Sequence, residues 1–234
     1  MQPGRTTERL HLIFDADDTL WENNIYFERA FQEFVDFLGH STLTPEEIRA
    51  VLDETELANQ KTHGYGALNF GRNLRQCYQH LSERAISRDD LDRVMSLAER
   101  ILDQPVELMD GVEETLGYLA GRHELLLFTK GHPDEQKLKI DRSGLGRYFT
   151  HTAIVKEKDR ESYRELLDAR DLAPARSWMI GNSPRSDINP ALELGLGAVY
   201  IPHPRTWSLE HEEISGDGGR LLILTCFADL RGCF

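Results

Sequence analysis

Apolar residues follow two different rhythms along this chain. From Leu10 to Phe14 they run almost without a break, the pattern of a strand covered on both faces. After Trp21 the spacing becomes helical, with Ile25, Phe27, Phe31, Phe34, Val35 and Leu38 recurring every three or four residues. Further helices are predicted over residues 44–61, 68–82 and 87–102. The first opens on Thr44-Pro45-Glu46-Glu47, with proline at the first helical position and acids in the first turn. No strand pattern interrupts this stretch, and strands resume only at Glu124. An ordinary crossover does not need about 90 residues, so residues 21–105 read as an inserted helical bundle.

From residue 106 strands and helices alternate. Strands are predicted at 124–129, 151–155, 177–180 and 198–201, with a further apolar run at 221–224. Helices fall at 110–120, 132–143, 159–170 and 189–194. This alternation predicts an α/β core, residues 1–20 and 106–234, built on a Rossmann-like parallel sheet with helices on both faces. Ligands of such sheets bind at the carboxyl ends of the strands. Asp15, Thr129, Lys156, Lys158 and Asp187 all follow predicted strands. The tail 207–219 reads as acidic and irregular.

The net charge of −13 argues against nucleic acid or an anionic membrane as the main partner. No apolar run approaches the roughly 20 residues that span a bilayer. The first ten residues carry no apolar run of a signal peptide. Three cysteines, Cys77, Cys226 and Cys233, without Cys-x-x-Cys spacing read as free thiols. The expected location is the cytoplasm, for a monomer or homodimer.

The chemistry concentrates after the first strand, in Asp15-Ala16-Asp17-Asp18-Thr19. Clustered carboxylates at a strand end repel one another unless a cation or a reacting group sits there. An acidic loop with Asp18 or Thr19 capping a helix is the structural alternative. The segment resembles the first motif, Asp-x-Asp-x-Thr, of the haloacid dehalogenase superfamily of phosphohydrolases. Thr129 in ELLLFTKG, Lys156 or Lys158 in IVKEKD, and Asp187 in SWMIGNSPRSDI match its three later motifs in order.

The resemblance implies a Mg²⁺-dependent phosphatase acting on a small phosphorylated metabolite, with the helical insert as a cap. Asp15 would be the nucleophile and Asp17 the general acid/base. Asp15 and Asp187, with the main-chain carbonyl of Asp17, would hold the metal. Thr129, Lys158, Asp18 and Lys130 would bind phosphate, although the Asp18 side chain itself reads as solvated. Lys158 is preferred to Lys156 because a helix containing Tyr163 starts just after it. The commoner Gly-Asp of the fourth motif is Gly181-Asn182 here, so Asn182 would ligate weakly or orient a water. Trp21 and Tyr65, the latter in the polar joint 59–66, are candidates for supporting or lining the substrate site; Trp21 starting the helical insert and Tyr65 packed on Phe70 are the structural readings. Two other functions stay open: a 2-haloacid dehalogenase, against which Asp17 counts, and a non-catalytic phospholigand-binding protein of the same fold.

Overall fold

The computed structural model describes residues 9–216 and 219–234. The first eight residues of the N-terminal segment read above for a signal peptide, and residues 217 and 218 of the acidic tail, lie outside the described residues. The chain divides into two units, one running up to Glu22 and resuming over Val106–Phe234, the other Asn23–Pro105.

In the first unit β1 (His11–Phe14) lies between β2 (Glu124–Lys130) and β4 (Ser177–Gly181). β3 (His151–Val155) flanks β2; β5 (Gly197–Tyr200) and β6 (Leu221–Ile223) extend the sheet beyond β4. The order is β3-β2-β1-β4-β5-β6, and every pairing is parallel. Successive side chains of a strand point to opposite faces, so the apolar runs are split between two cores. Leu12, Phe14, Leu125 and Leu127 pack with Val112, Leu116 and Leu119 of α5 (Val112–Ala120). Ile13, Leu126 and Phe128 pack with Tyr163, Leu166 and Leu167 of α7 (Arg160–Ala169) and Ala191 of α8 (Asn189–Glu193). Because every strand is parallel, all the carboxyl ends lie at one edge, where polar side chains can sit. α6 (Pro133–Ser143) connects β2 to β3.

The second unit holds α1 (Asn24–Leu38), α2 (Pro45–His63), α3 (Ala67–Leu81) and α4 (Arg88–Glu99). Thr44 and Ser87 close capping boxes with Glu47 and Asp90, which fixes where α2 and α4 begin. Phe34, Leu52, Leu74, Tyr78 and Val94 are buried together in its core. α2 continues to His63, so the joint read at 59–66 shrinks to a turn at Gly64–Gly66. The Tyr65 hydroxyl bonds Gln60, and Phe70 pairs with Phe27 at 5.1 Å between ring centroids.

The tail also differs from its reading. Residues Ser208–Glu210 form a 3₁₀ turn, and Glu210 is buried. A wide π-helical turn, Pro184–Ile188, precedes α8. The chain ends in a short α9 (Leu230–Cys233). The three cysteines are free. Among the described residues no helix is long and apolar enough to cross a membrane.

Candidate active site

The N–H of Asp15 donates to the Ile180 carbonyl (2.9 Å), so the ladder between β1 and β4 runs one residue past β1 and aims Asp15 off the sheet edge. The chain then turns tightly. The N–H of Leu20 reaches back to the Ala16 carbonyl (2.8 Å), and Asp18 takes a left-handed backbone with φ 61°. Aspartate is among the few residues that tolerate this conformation. Asp15 and Asp17 thus both leave the strand geometry that would have pointed them apart.

The centre is a buried charge cluster. The ammonium of Lys158 bridges Asp15 Oδ1 and Asp187 Oδ1, the latter at 2.8 Å. Lys158 is buried against these two carboxylates, whereas Lys156 is exposed. Burial alone would lower the Lys158 pKa; the two carboxylates outweigh it and hold the ammonium above the ordinary lysine value. For Asp187 burial acts first and upward, the Asp15 charge adds to it, and Lys158 opposes both, leaving its pKa raised. Thr19 donates its hydroxyl to Asp15 Oδ2 at 2.8 Å.

Asp187 is placed by its turn. Its Oδ2 accepts from the Ser183 N–H at 3.0 Å, and Tyr163, itself fully buried, donates to the carbonyls of Ser186 (3.0 Å) and Asp187 (3.3 Å). The side chain lies directly under Gly181: a Cβ there would stand 2.2 Å from Asp187 Oδ2. Glycine is therefore a condition for this carboxylate's position.

Asp17 has a separate set of partners. Lys139 Nζ is 2.6 Å from each of its oxygens, Trp21 Nε1 donates at 2.7 Å, and Gln136 Nε2 at 3.2 Å. Gln136 also donates to Thr129 Oγ1 at 2.6 Å. Trp21 is fully buried in the core and braces Asp17 through its Nε1.

The remaining expected residues are spread around this frame. Lys130 pairs with Glu210 and donates to Ser186 Oγ (2.8 Å), and Glu210 Oε2 accepts from Ser183 and Ser186 at 2.5 Å each. Its ammonium thus ties the Asp187 turn to the tail. Asn182 spans Thr19 (3.3 Å) and Thr206 (3.0 Å), so both ends of its amide are used in positioning the loop. Asp18 is buried, not solvated, and its Oδ1 is 3.8 Å from His203 Nδ1. His203 Nε2 is 3.5 Å from Glu22 Oε2, and the three side chains are of types that hold metals. Here Arg205 already pairs with Glu22 at 3.0 Å, and its N–H donates to His203 Nδ1 at 3.4 Å. Tyr65 belongs to the helical unit.

Sequence reasoning missed Gln136, Lys139, Glu210 and the Glu22–His203–Arg205 group. The first two stand three residues apart on one face of α6, a spacing visible in the sequence once α6 is placed beside Thr129.

A magnesium ion suits this donor set. Asp15, Asp187 and the Asp17 carbonyl are hard oxygen donors, and one lysine leaves the two buried carboxylates with an uncompensated negative charge.

A hydrolase of Xanthomonas campestris, described as haloacid dehalogenase-like, superposes with a TM-score of 0.84 at 30% identity, over 100% of this chain and 93% of that one. The YfnB hydrolase of Bacillus subtilis, solved bound to magnesium, shares the fold at a TM-score of 0.68 and 16% identity, over 95% and 97% of the two chains. A curated phosphoserine phosphatase of Thermus thermophilus is 32% identical over 82 residues, 33% of each chain. The match therefore spans about a third of that relative's length. The family model for haloacid dehalogenase-like hydrolases covers residues 11–195, from the first residue of β1 to beyond α8, and includes every strand-end residue described above. With its motifs assembled at one sheet edge and the model spanning most of its length, the chain belongs to the haloacid dehalogenase-like hydrolases.

Proposed function

We propose that the chain is a Mg²⁺-dependent phosphatase that hydrolyses a small phosphomonoester through an aspartyl-phosphate on Asp15. The observation that carries this reading is the second carboxylate, Asp17, in the same turn as Asp15 yet bonded to a different lysine. Two carboxylates with separate partners suit separate roles. Asp15 attacks phosphorus; the P–O bond to the ester oxygen breaks, and Asp17 delivers a proton to that oxygen. Asp17 then takes a proton from water as the water attacks the phosphoenzyme, and the bond to Asp15 breaks to release phosphate. Thr129 and Lys158 supply donors and positive charge to the phosphoryl oxygens. Asp15, Asp187 and the Asp17 carbonyl would hold Mg²⁺, which when bound supplies the charge that offsets phosphate and carboxylates together. The helical unit, Asn23–Pro105, is the part of the chain that would set substrate choice.

The test is hydrolysis of p-nitrophenyl phosphate and a panel of sugar and nucleotide monophosphates, with Mg²⁺ and with EDTA. Activity is expected only with Mg²⁺, with BeF₃⁻ binding at Asp15 as a phosphoryl mimic. Halide release from 2-haloacids without metal, at a rate that Asp17→Asn leaves unchanged, would overturn the reading in favour of a dehalogenase.

A further inference from the structure

α6 enters the site in a way that none of the strand-end motifs accounts for. Gln136 is 2% exposed and points into the gap between Thr129 and Asp17. Asp17 is a hydrogen-bond acceptor when ionised, so the Gln136 group facing it is the NH₂, with one hydrogen for each partner. Thr129 Oγ1 thereby accepts one bond and keeps its own hydrogen for another acceptor. Lys139, one turn further along α6, meets both oxygens of Asp17 at 2.6 Å. The backbone makes room for this: Gly131 has φ 144°, and a Cβ on it would stand 3.0 Å from Gln136 Cδ and Cγ. One helix face thus holds the two groups on which proton delivery and phosphate binding depend.

We infer that Gln136 and Lys139 are positioning residues for the hydrolysis, acting through Asp17 and Thr129. The inference rests on the phosphatase reading above. Lys139 fixes the plane of the Asp17 carboxylate, and Gln136 fixes the direction of the Thr129 hydroxyl relative to it. Neither forms a bond to phosphorus, and neither exchanges the reaction's proton.

A double-mutant cycle on the full chain tests this. In the Asp17 background, Lys139→Met is expected to lower kcat by about 10–100-fold, part of the ~10²–10⁴-fold that general acid/base help provides. KM should move less than threefold, and Lys139→Arg should recover most of the loss. In an Asp17→Asn background the same Lys139→Met change should have almost no further effect, because it acts through the carboxylate that is gone. Gln136→Leu, which removes the donor to Thr129 while Asp17 keeps Lys139 and Trp21, should instead raise KM and weaken inhibition by inorganic phosphate, with a smaller effect on kcat. Circular dichroism melts report whether each variant is folded. An active wild type in which Lys139→Met keeps its kcat, or multiplies in full with Asp17→Asn, overturns the positioning role and leaves the phosphatase reading standing. A wild type inert toward phosphate esters with Mg²⁺ overturns that reading and the inference with it.

Discussion

Two carboxylate–ammonium contacts sit at the same sheet edge, and they are built on opposite terms. Lys158 with Asp15 and Asp187 is sealed from solvent, with side-chain exposures of 1%, 10% and 1%. Lys139 with Asp17 is about a quarter exposed on each side. The sealed cluster has two acids to one base; the open pair is balanced. Desolvated charges are costly unless fully compensated, whereas partly exposed pairs contribute little to stability. The sealed cluster is therefore held in an unfavourable state by the fold around it, whereas the open pair adds little to stability although Lys139, Trp21 and Gln136 fix the Asp17 carboxylate in place. In the proposed phosphatase, a charge deficit suits a centre that would hold a cation, and a partly exposed carboxylate suits a group that would pass a proton.

The comparison breaks most sharply at Lys158. Lys158→Met leaves two buried carboxylates facing each other, and urea unfolding without added metal should show a loss of about 3–5 kcal/mol. Asp187→Asn reduces the same cluster to one acid and one base and should cost clearly less. Lys139→Met should cost about 1 kcal/mol or less. Equal losses for Lys158→Met and Lys139→Met would show that burial does not separate the two contacts.

Gly181→Ala probes how tightly the sealed side is packed. The added methyl displaces the Asp187 carboxylate, an overpacking that should cost about 1–3 kcal/mol in urea unfolding. It should also raise the Mg²⁺ concentration needed for half-maximal activity.

A pH-dependent effect is expected at Glu210, in the network behind the Asp187 turn. Burial would raise its pKa, but the Lys130 ion pair and the Ser183 and Ser186 hydroxyls outweigh burial and lower it. A lowered carboxylate pKa contributes stability that is present above the unfolded value, about 4.3, and is lost as pH falls through the folded one. Wild type should melt above Glu210→Gln at pH 7, and the gap should close as the pH is taken below about 4. A gap that stays constant over that range would mean that the Glu210 charge is irrelevant to it.

How much of this was legible in the sequence depended on whether a position was decided locally. β3 has the bounds expected of it, and α2, α4 and α7 begin where Thr44, Ser87 and Asp159 cap them, because strand patterning and capping boxes are read over a few residues. Asp15, Thr129, Lys158 and Asp187 were legible for a related reason: each follows a strand, and strand ends in a parallel sheet converge. Gln136 and Lys139 were not. The stretch PDEQKLKIDRS is polar on nearly every side, so no apolar stripe shows which face of α6 turns inward. Gln136 is buried by hydrogen bonds rather than by hydrophobicity. Trp21 was legible only in part: an aromatic residue after an acidic loop reads equally as lining the site or as supporting it, and only the fold shows that its ring fills the core while its Nε1 reaches Asp17. Glu210 was missed because its partners, Lys130, Ser183 and Ser186, lie 24 to 80 residues away.

The bond from Trp21 to Asp17 gives the protein an optical readout of its own. An indole emits at a wavelength and intensity that depend on the charge and hydrogen bonding at its nitrogen, and the Trp21 nitrogen bonds the Asp17 carboxylate at 2.7 Å. The chain has two other tryptophans, Trp178 and Trp207. With both replaced by phenylalanine, Trp21 becomes the single emitter. Stopped-flow fluorescence of that variant would then follow Asp17 through each turnover without a label, and a second change at Lys139 would register in the emission even where no substrate is present.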